Sequence, residues 1–171
     1  MKRISFIHVG LGGYSLQRLQ ILLNNPKFKL LALVDIDKKK IKNLKKLKNL
    51  PENYKNFFFS TISKACKNLK PDACFIYVSS NKHAKLIIES LQNNLHTLCV
   101  KSLTFSGNEF KKIMKIKNKK KNILLVQGLN NQWNDASLEM QKIVKDQKIF
   151  GKFIMGYCRV WGRQNLNSKN G

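Results

Sequence analysis

Paired cysteine, long apolar runs and arginine are what this chain of 171 residues has least of. Its four cysteines, Cys66, Cys74, Cys99 and Cys158, form no C-x-x-C pair, and His8, His83 and His96 show no metal-ligand spacing. That excludes a zinc ribbon or a disulfide framework, so the cysteines read as free thiols of a cytoplasmic protein with no metal site. No apolar run approaches the ~18 residues that a membrane span needs. The start MKRISFIHVGLGG is basic and then apolar, but it breaks into glycines where a signal peptide would carry its cleavage site. No membrane partner is expected.

The composition is globular, with 43% hydrophobic residues, enough for one domain of ordinary size with a core. The net charge is +24, and it comes from 29 lysines with only 4 arginines, beside 19 asparagines and 5 alanines. Lysine, asparagine, isoleucine and phenylalanine share codons rich in A and T, so an AT-rich genome accounts for the excess. A nucleic-acid-binding protein is the competing reading, because a basic surface attracts phosphate through counterion release. Phosphate clamps and base readers lean on the bidentate arginine fork, which is scarce here, and the lysines are spread along the chain. The sequence therefore favours no specific nucleic-acid partner.

Apolar patterning gives the architecture. Ile4 to Val9 reads as a short buried strand stopped by glycine. Leu16, Leu19, Leu22 and Leu23 then follow helical spacing up to Pro26, and Leu30 to Asp35 is a continuous apolar run ending in acid. In KKKIKNLKKLKNL, Ile41, Leu44, Leu47 and Leu50 make one stripe at a spacing of three, with the lysines on a solvated helix face. Strands at Phe57–Phe59, Ala73–Val78, Thr97–Val100 and around NILLVQG alternate with helices at ISKACKNL, Ala84–Leu91 and Phe110–Met114. Such alternation means βαβ units in a mostly parallel, doubly wound α/β sheet. After about Asn130 the pattern changes: Ala136 to Val144 is helical, and GKFIMGYCRVW reads as one long apolar strand. That strand has nothing to pair with in the residues that follow it, so the chain is expected to be cut short.

Between the first strand and helix stands HVGLGGYSLQ, which matches the fingerprint G-x-G-x-x-G except that Ser15 holds the third glycine position. In a dinucleotide cradle the first glycine allows the tight turn and the second lets the backbone approach the pyrophosphate. Those two positions are kept as Gly10 and Gly12. The third is a packing position, and serine is small; its hydroxyl also suits the exposed N–H groups at a helix start. Asp35 follows 25 residues after Gly10, close to the ~20 expected for a ribose-binding carboxylate. A carboxylate there accepts from the ribose hydroxyls and repels a 2′-phosphate, which selects NAD over NADP. Lys38 to Lys40 lie near enough to soften that choice and admit NADP.

Several segments in order now resemble the Gfo/Idh/MocA oxidoreductases, the family of glucose–fructose oxidoreductase and inositol dehydrogenase. VGLGGYSLQRLQILLNNPKFKLLALVDID is similar to their opening βαβ unit. PDACFIYVSSNKHAKLIIESLQNNLHTLCVKSLT is similar to the segment from their T-P-x-x-x-H element to Glu-Lys-Pro. QGLNNQWNDA and IFGKFIMGYCRVWG resemble the opening of their second domain. The resemblance implies a Rossmann-type NAD(P)-binding domain over residues 1–130 and the truncated start of an α+β substrate domain over 131–171. It implies Gly10, Gly12, Gly13, Tyr14, Ser15 and Asp35 on the cofactor, with Ser79, Ser80 and His83 in the loop that passes nicotinamide. It implies Lys101 as the catalytic residue beside nicotinamide and substrate, where its charge polarises the reacting oxygen.

The chain departs from the family at Val100-Lys101-Ser102 for Glu-Lys-Pro, at Ser80 for proline, at Asn94-Leu95 for glycine-lysine, and at Gln132 for an arginine. The family's Asp-x-x-x-His element is not among these 171 residues. The expected function is an NAD(P)-dependent dehydrogenase acting on a sugar, polyol or sugar derivative, present as an N-terminal fragment, with oligomers formed through the missing domain. The alternative is a nucleotide-binding remnant without catalysis.

Overall fold

The computed structural model describes residues 2–129, 133–146, 151, 152, 154 and 155. The chain divides into two compact units, Met1–Gly128 and Leu129–Gly171.

The first unit is a six-stranded sheet with α-helices and 3-10 turns in between. In chain order come β1 (Ile4–Val9), α1 (Gly13–Asn24), β2 (Phe28–Val34), β3 (Phe58–Phe59), α2 (Ile62–Asn68), β4 (Ala73–Ile76), α3 (His83–Gln92), β5 (His96–Val100), α4 (Gly107–Asn118) and β6 (Leu125–Gly128). The strand order is β3-β2-β1-β4-β5-β6, and every neighbouring pair is parallel. This is the doubly wound sheet that the alternation of strands and helices predicts, in the order of the dinucleotide-binding fold.

Alternation sorts the strand side chains into two cores, with a register shift opposite Phe6 and Ile7 that adds a residue to β2 between Leu30 and Ala32. Ile7, Val9, Ala32, Val34, Cys74 and Ile76 pack with Ile62 and Ala65 of α2, Ala84, Ile87 and Leu91 of α3, and Ile113 of α4. Their neighbours Phe6, Leu30, Leu33 and Ala73 pack with Leu19 of α1 and with Leu44. Each buried Val, Leu, Ile or Phe among them contributes about 1.5–3 kcal/mol by leaving water. A sheet buried on both faces explains why β1 and β2 read as nearly continuous apolar runs.

The lysine-rich stretch differs from the expected α-helix. Lys38–Lys46 is a 3-10 helix, begun by Asp37, whose side chain accepts from the Lys39 N–H at 2.9 Å. The physical reason is in the spacing. With three residues per turn, positions i and i+3 eclipse, so Ile41, Leu44 and Leu47 fall on one line. Leu44 is fully buried in the α1-side core, Ile41 and Leu47 pack against it, and the lysines between them face outward.

In the second unit α5 (Asp135–Lys145) starts at Asn134, whose side chain accepts from the Ser137 N–H at 2.7 Å. The strand expected over Gly151–Trp161 lies for the most part outside the described residues, as does Gln132. Cys66, Cys74 and Cys99 are free thiols. Burial pushes Cys74 and Cys99 up to about 12, which leaves both as unreactive core residues. Among the described residues no helix is long and apolar enough to cross a membrane, and no three metal-binding side chains come together.

Candidate functional site

In an open parallel sheet, ligands lie outside the carboxyl ends of the strands where the strand order reverses. Here that point is the gap between β1 and β4, and Gly10 stands at its edge. The Gly10 N–H donates to the Val34 carbonyl at 2.8 Å, and Gly10 has φ +97°, a conformation that side chains rarely adopt. A Cβ at Gly10 would collide with the Tyr77 carbonyl oxygen and lie 2.9 Å from Val78 Cγ1. The first glycine is therefore required by close approach of the chain just after β4.

Gly12 and Gly13 answer to a different need. Among the described residues, a Cβ on either would meet nothing within 4 Å, so the space beside them is open there. Gly12 is the N-cap of α1, no side chain caps that end, and no acid stands in its first turn. The N–H groups of Gly13, Tyr14 and Ser15 are thus at a helix start with partial positive charge and room for an anion.

Ser15 behaves differently from the helix-capping role that its position suggested. It is 2% exposed, its Oγ donates to the Gly10 carbonyl at 2.5 Å, and it lies 2.7 Å from His8 Nε2. The hydroxyl ties the helix back to the turn and does not cap N–H groups. His8 is fully buried, stacks on Tyr77 with ring centroids 5.1 Å apart, and its Nδ1 finds no partner among the described residues. Burial pulls the His8 imidazole down to about 3, against the opposing pull of its hydrogen bond with Ser15. Tyr77 in turn meets Tyr14 edge-on at 6.4 Å, and the Arg18 guanidinium sits 4.7 Å over the Tyr14 ring. Burial pushes the Tyr77 phenol up to about 12, partly offset by Arg18, so it stays neutral.

Asp35, at the end of β2, reaches back to the same turn. It is 7% exposed and accepts on Oδ2 from the Leu11 N–H at 2.8 Å and on Oδ1 from the Asp37 N–H at 3.0 Å. Lys40 Nζ bridges both oxygens at 3.3 and 3.2 Å. The lysine that sequence reasoning placed merely nearby is an ion-pair partner of the ribose-binding candidate.

Ser79 is exposed and Ser80 half-buried in the turn that leads from β4 into α3. His83, expected on the cofactor, is fully buried: its Nδ1 lies 2.5 Å from the Ser102 carbonyl and its Nε2 2.9 Å from the Val78 carbonyl. The ring thus sits between the loop after β4 and the loop after β5, within hydrogen-bond distance of a backbone carbonyl of each. Lys101 follows β5 directly, is exposed, and is joined to Ser102 by a cis peptide bond. The structure so brings Gly10, Gly12, Gly13, Tyr14, Ser15 and Asp35 together at one turn, with Ser79, Ser80 and Lys101 on the loops after β4 and β5. Sequence reasoning missed His8 and Tyr77. The alternation of β1 puts His8 on the face of Phe6, which signals burial, but nothing in the sequence signals its pairing with Ser15.

These residues fit a dinucleotide: two glycines facing open space, an uncapped helix start, and a carboxylate bonded to the same turn. A model of the Gfo/Idh/MocA oxidoreductase family, described as an NAD-binding Rossmann fold, matches residues 4–128. No curated protein matches the chain. Among solved structures, myo-inositol 2-dehydrogenase from Lactobacillus plantarum superimposes with a TM-score of 0.74 at 21% identity, over 86% of this chain and 42% of that one. The WlbA dehydrogenase from Chromobacterium violaceum, solved with NADH and UDP-GlcNAcA, gives 0.73 at 17% identity, over 86% and 41%. GenD2 from gentamicin A biosynthesis, solved with NAD, gives 0.72 at 14%, over 86% and 40%. The chain thus spans well under half the length of these structures.

Proposed function

The chain belongs to the Gfo/Idh/MocA oxidoreductase family, carrying its NAD-binding Rossmann fold over residues 4–128, and from that premise we propose a dehydrogenase that acts on a sugar, polyol or sugar derivative. The inositol dehydrogenase and the sugar-nucleotide-bound WlbA among the structural relatives support that substrate class. The observation that carries the cofactor site is the open space at Gly12 beside the uncapped start of α1.

Bound nicotinamide would supply the hydride acceptor or donor. Everything else falls to the chain. Gly12 leaves the pyrophosphate room, and the N–H groups of Gly13, Tyr14 and Ser15 donate to its oxygens. Asp35 accepts from the adenosine ribose hydroxyls once Lys40 gives way on one side. Ser79 and Ser80 flank the nicotinamide end, and Lys101 donates to the reacting oxygen of the substrate, stabilising the charge that develops there. His83 sets the spacing of those two loops.

The test is a calorimetric titration of wild type and Gly12→Val with NADH. Because a Cβ at Gly12 meets nothing, the variant should melt with the wild type and lose at least about ten-fold in affinity, the scale of a blocked phosphate contact. Equal affinity would refute the cradle. Lys101→Ala should keep NADH affinity while removing the group beside the substrate.

A further inference from the structure

The Gly10–Leu11 peptide unit is gripped on both of its edges. Its carbonyl accepts from Ser15 Oγ at 2.5 Å, and its N–H donates to Asp35 Oδ2 at 2.8 Å. The bond is trans, so carbonyl and N–H point to opposite sides of one rigid plane. Two holders on opposite edges leave that plane little freedom to rotate. It is also the first of the two peptides between the fingerprint glycines Gly10 and Gly12, so its tilt bears on where Gly12 and the first N–H groups of α1 face.

We propose that His8 and Ser15 are positioning residues for the dinucleotide, fixing the Gly10–Leu11 peptide from the side opposite Asp35 so that the turn is set before the cofactor arrives. The proposal rests on the reading of this turn as the NAD site.

Proton accounting assigns the direction of each bond. A carbonyl only accepts, so the single hydroxyl hydrogen of Ser15 goes to Gly10. Ser15 Oγ must then accept from His8, which places the histidine proton on Nε2. That leaves Nδ1 bare, and Nδ1 is the buried atom of His8 with no partner among the described residues. The Nε2–H tautomer therefore points the serine hydrogen at the turn, and stacking on Tyr77 holds the ring in place. A glycine at position 15 would pack as closely but would leave the Gly10 carbonyl unheld. A buried histidine with one unsatisfied nitrogen costs the fold stability, which is consistent with a residue retained for the site and not for the core. Since burial keeps His8 neutral, the arrangement is unchanged across the ordinary pH range.

The experiment measures NADH and adenosine affinity for the full chain as wild type, Ser15→Ala, His8→Phe and the double variant, with melting curves for each. Ser15→Ala should weaken NADH about ten-fold, the usual scale of a buried hydrogen bond lost at a site. His8→Phe should weaken it about three-fold, because Ser15 keeps its hydroxyl but loses its orientation. The double variant should match Ser15→Ala, since His8 acts only through Ser15. Adenosine, which lacks the pyrophosphate, should bind all four alike. If Ser15→Ala does not fold, His8→Phe decides: weaker NADH with unchanged adenosine supports the proposal. NADH affinity at wild-type level in the variants overturns it, as do single losses that multiply in the double variant, or an equal loss of adenosine. A wild type that binds no NADH would instead overturn the cofactor reading itself, and this proposal with it.

Discussion

Asp35 was legible in the sequence as an acid at a strand end, but its three hydrogen-bond partners were not. The structure shows its carboxylate shared among the Leu11 N–H, the Asp37 N–H and the Lys40 ammonium. An acid whose charge is balanced by Lys40 repels a 2′-phosphate less than a bare one, and removing it frees the lysine. Asp35→Ser should therefore shift the ratio of NADPH to NADH affinity upward by about ten-fold or more in competitive titration. An unchanged ratio would take Asp35 out of the ribose site. His8 gives a second outcome at this scale, in stability. Burial holds it at about 3 in the fold against an ordinary value of 6.5. Between those values the unfolded chain takes up a proton that the folded chain refuses. Stability is thus full above the ordinary value and falls as pH drops toward the folded one, by up to about 1.4 kcal/mol per pH unit. Asp72, held low by hydrogen bonds from Ser5, adds to the loss at the acid end. In urea unfolding, wild type should lose about 2 kcal/mol between pH 7 and pH 5 through His8, and His8→Phe should lose correspondingly less. Parallel losses would place His8 in water.

At the scale of elements, the strands and most helices were readable because burial writes itself into apolar runs: β1, β2, β4 and β5 all stand where such runs stand. The 3-10 helix Lys38–Lys46 was half readable. Its stripe of Ile41, Leu44 and Leu47 was plain, yet a spacing of three fits either a loose α-helix or a tight 3-10 turn, and only packing against α1 decides between them. The consequence can be measured. Leu44 is fully exchanged from water into the core, so Leu44→Ala should cost about 2–5 kcal/mol. Lys42→Ala, on the outward side, should stay within about 0.5 kcal/mol. Comparable effects of both would mean that the stripe is not the element's anchor. The His8–Ser15 contact shows what sequence could not give. It joins residues seven apart across the end of a strand and the start of a helix, and its geometry exists only once the glycine turn has formed.

For the whole molecule, the order of strands places the glycine turn, Asp35, the Ser79–Ser80 turn and Lys101 along one edge of one sheet, bringing residues far apart in sequence to the place where the proposed cofactor would lie. The +24 charge has no such address: the 29 lysines are spread along the sequence. Binding driven by that charge would be spread over the molecule and weakened steeply by salt, whereas binding at the turn is local. An amide-resolved NMR titration of the full chain with NADH near physiological salt separates the two. The account predicts large shifts at Gly12, Gly13, Tyr14, Ser15 and the amides around Asp35, smaller ones at Ser79, Ser80 and Lys101, and none at Ala84, Ile88 and Lys112, which line a cleft between α3 and α4. Shifts spread evenly over the lysine-bearing surface, or confined to that cleft with the glycine turn unmoved, would contradict it.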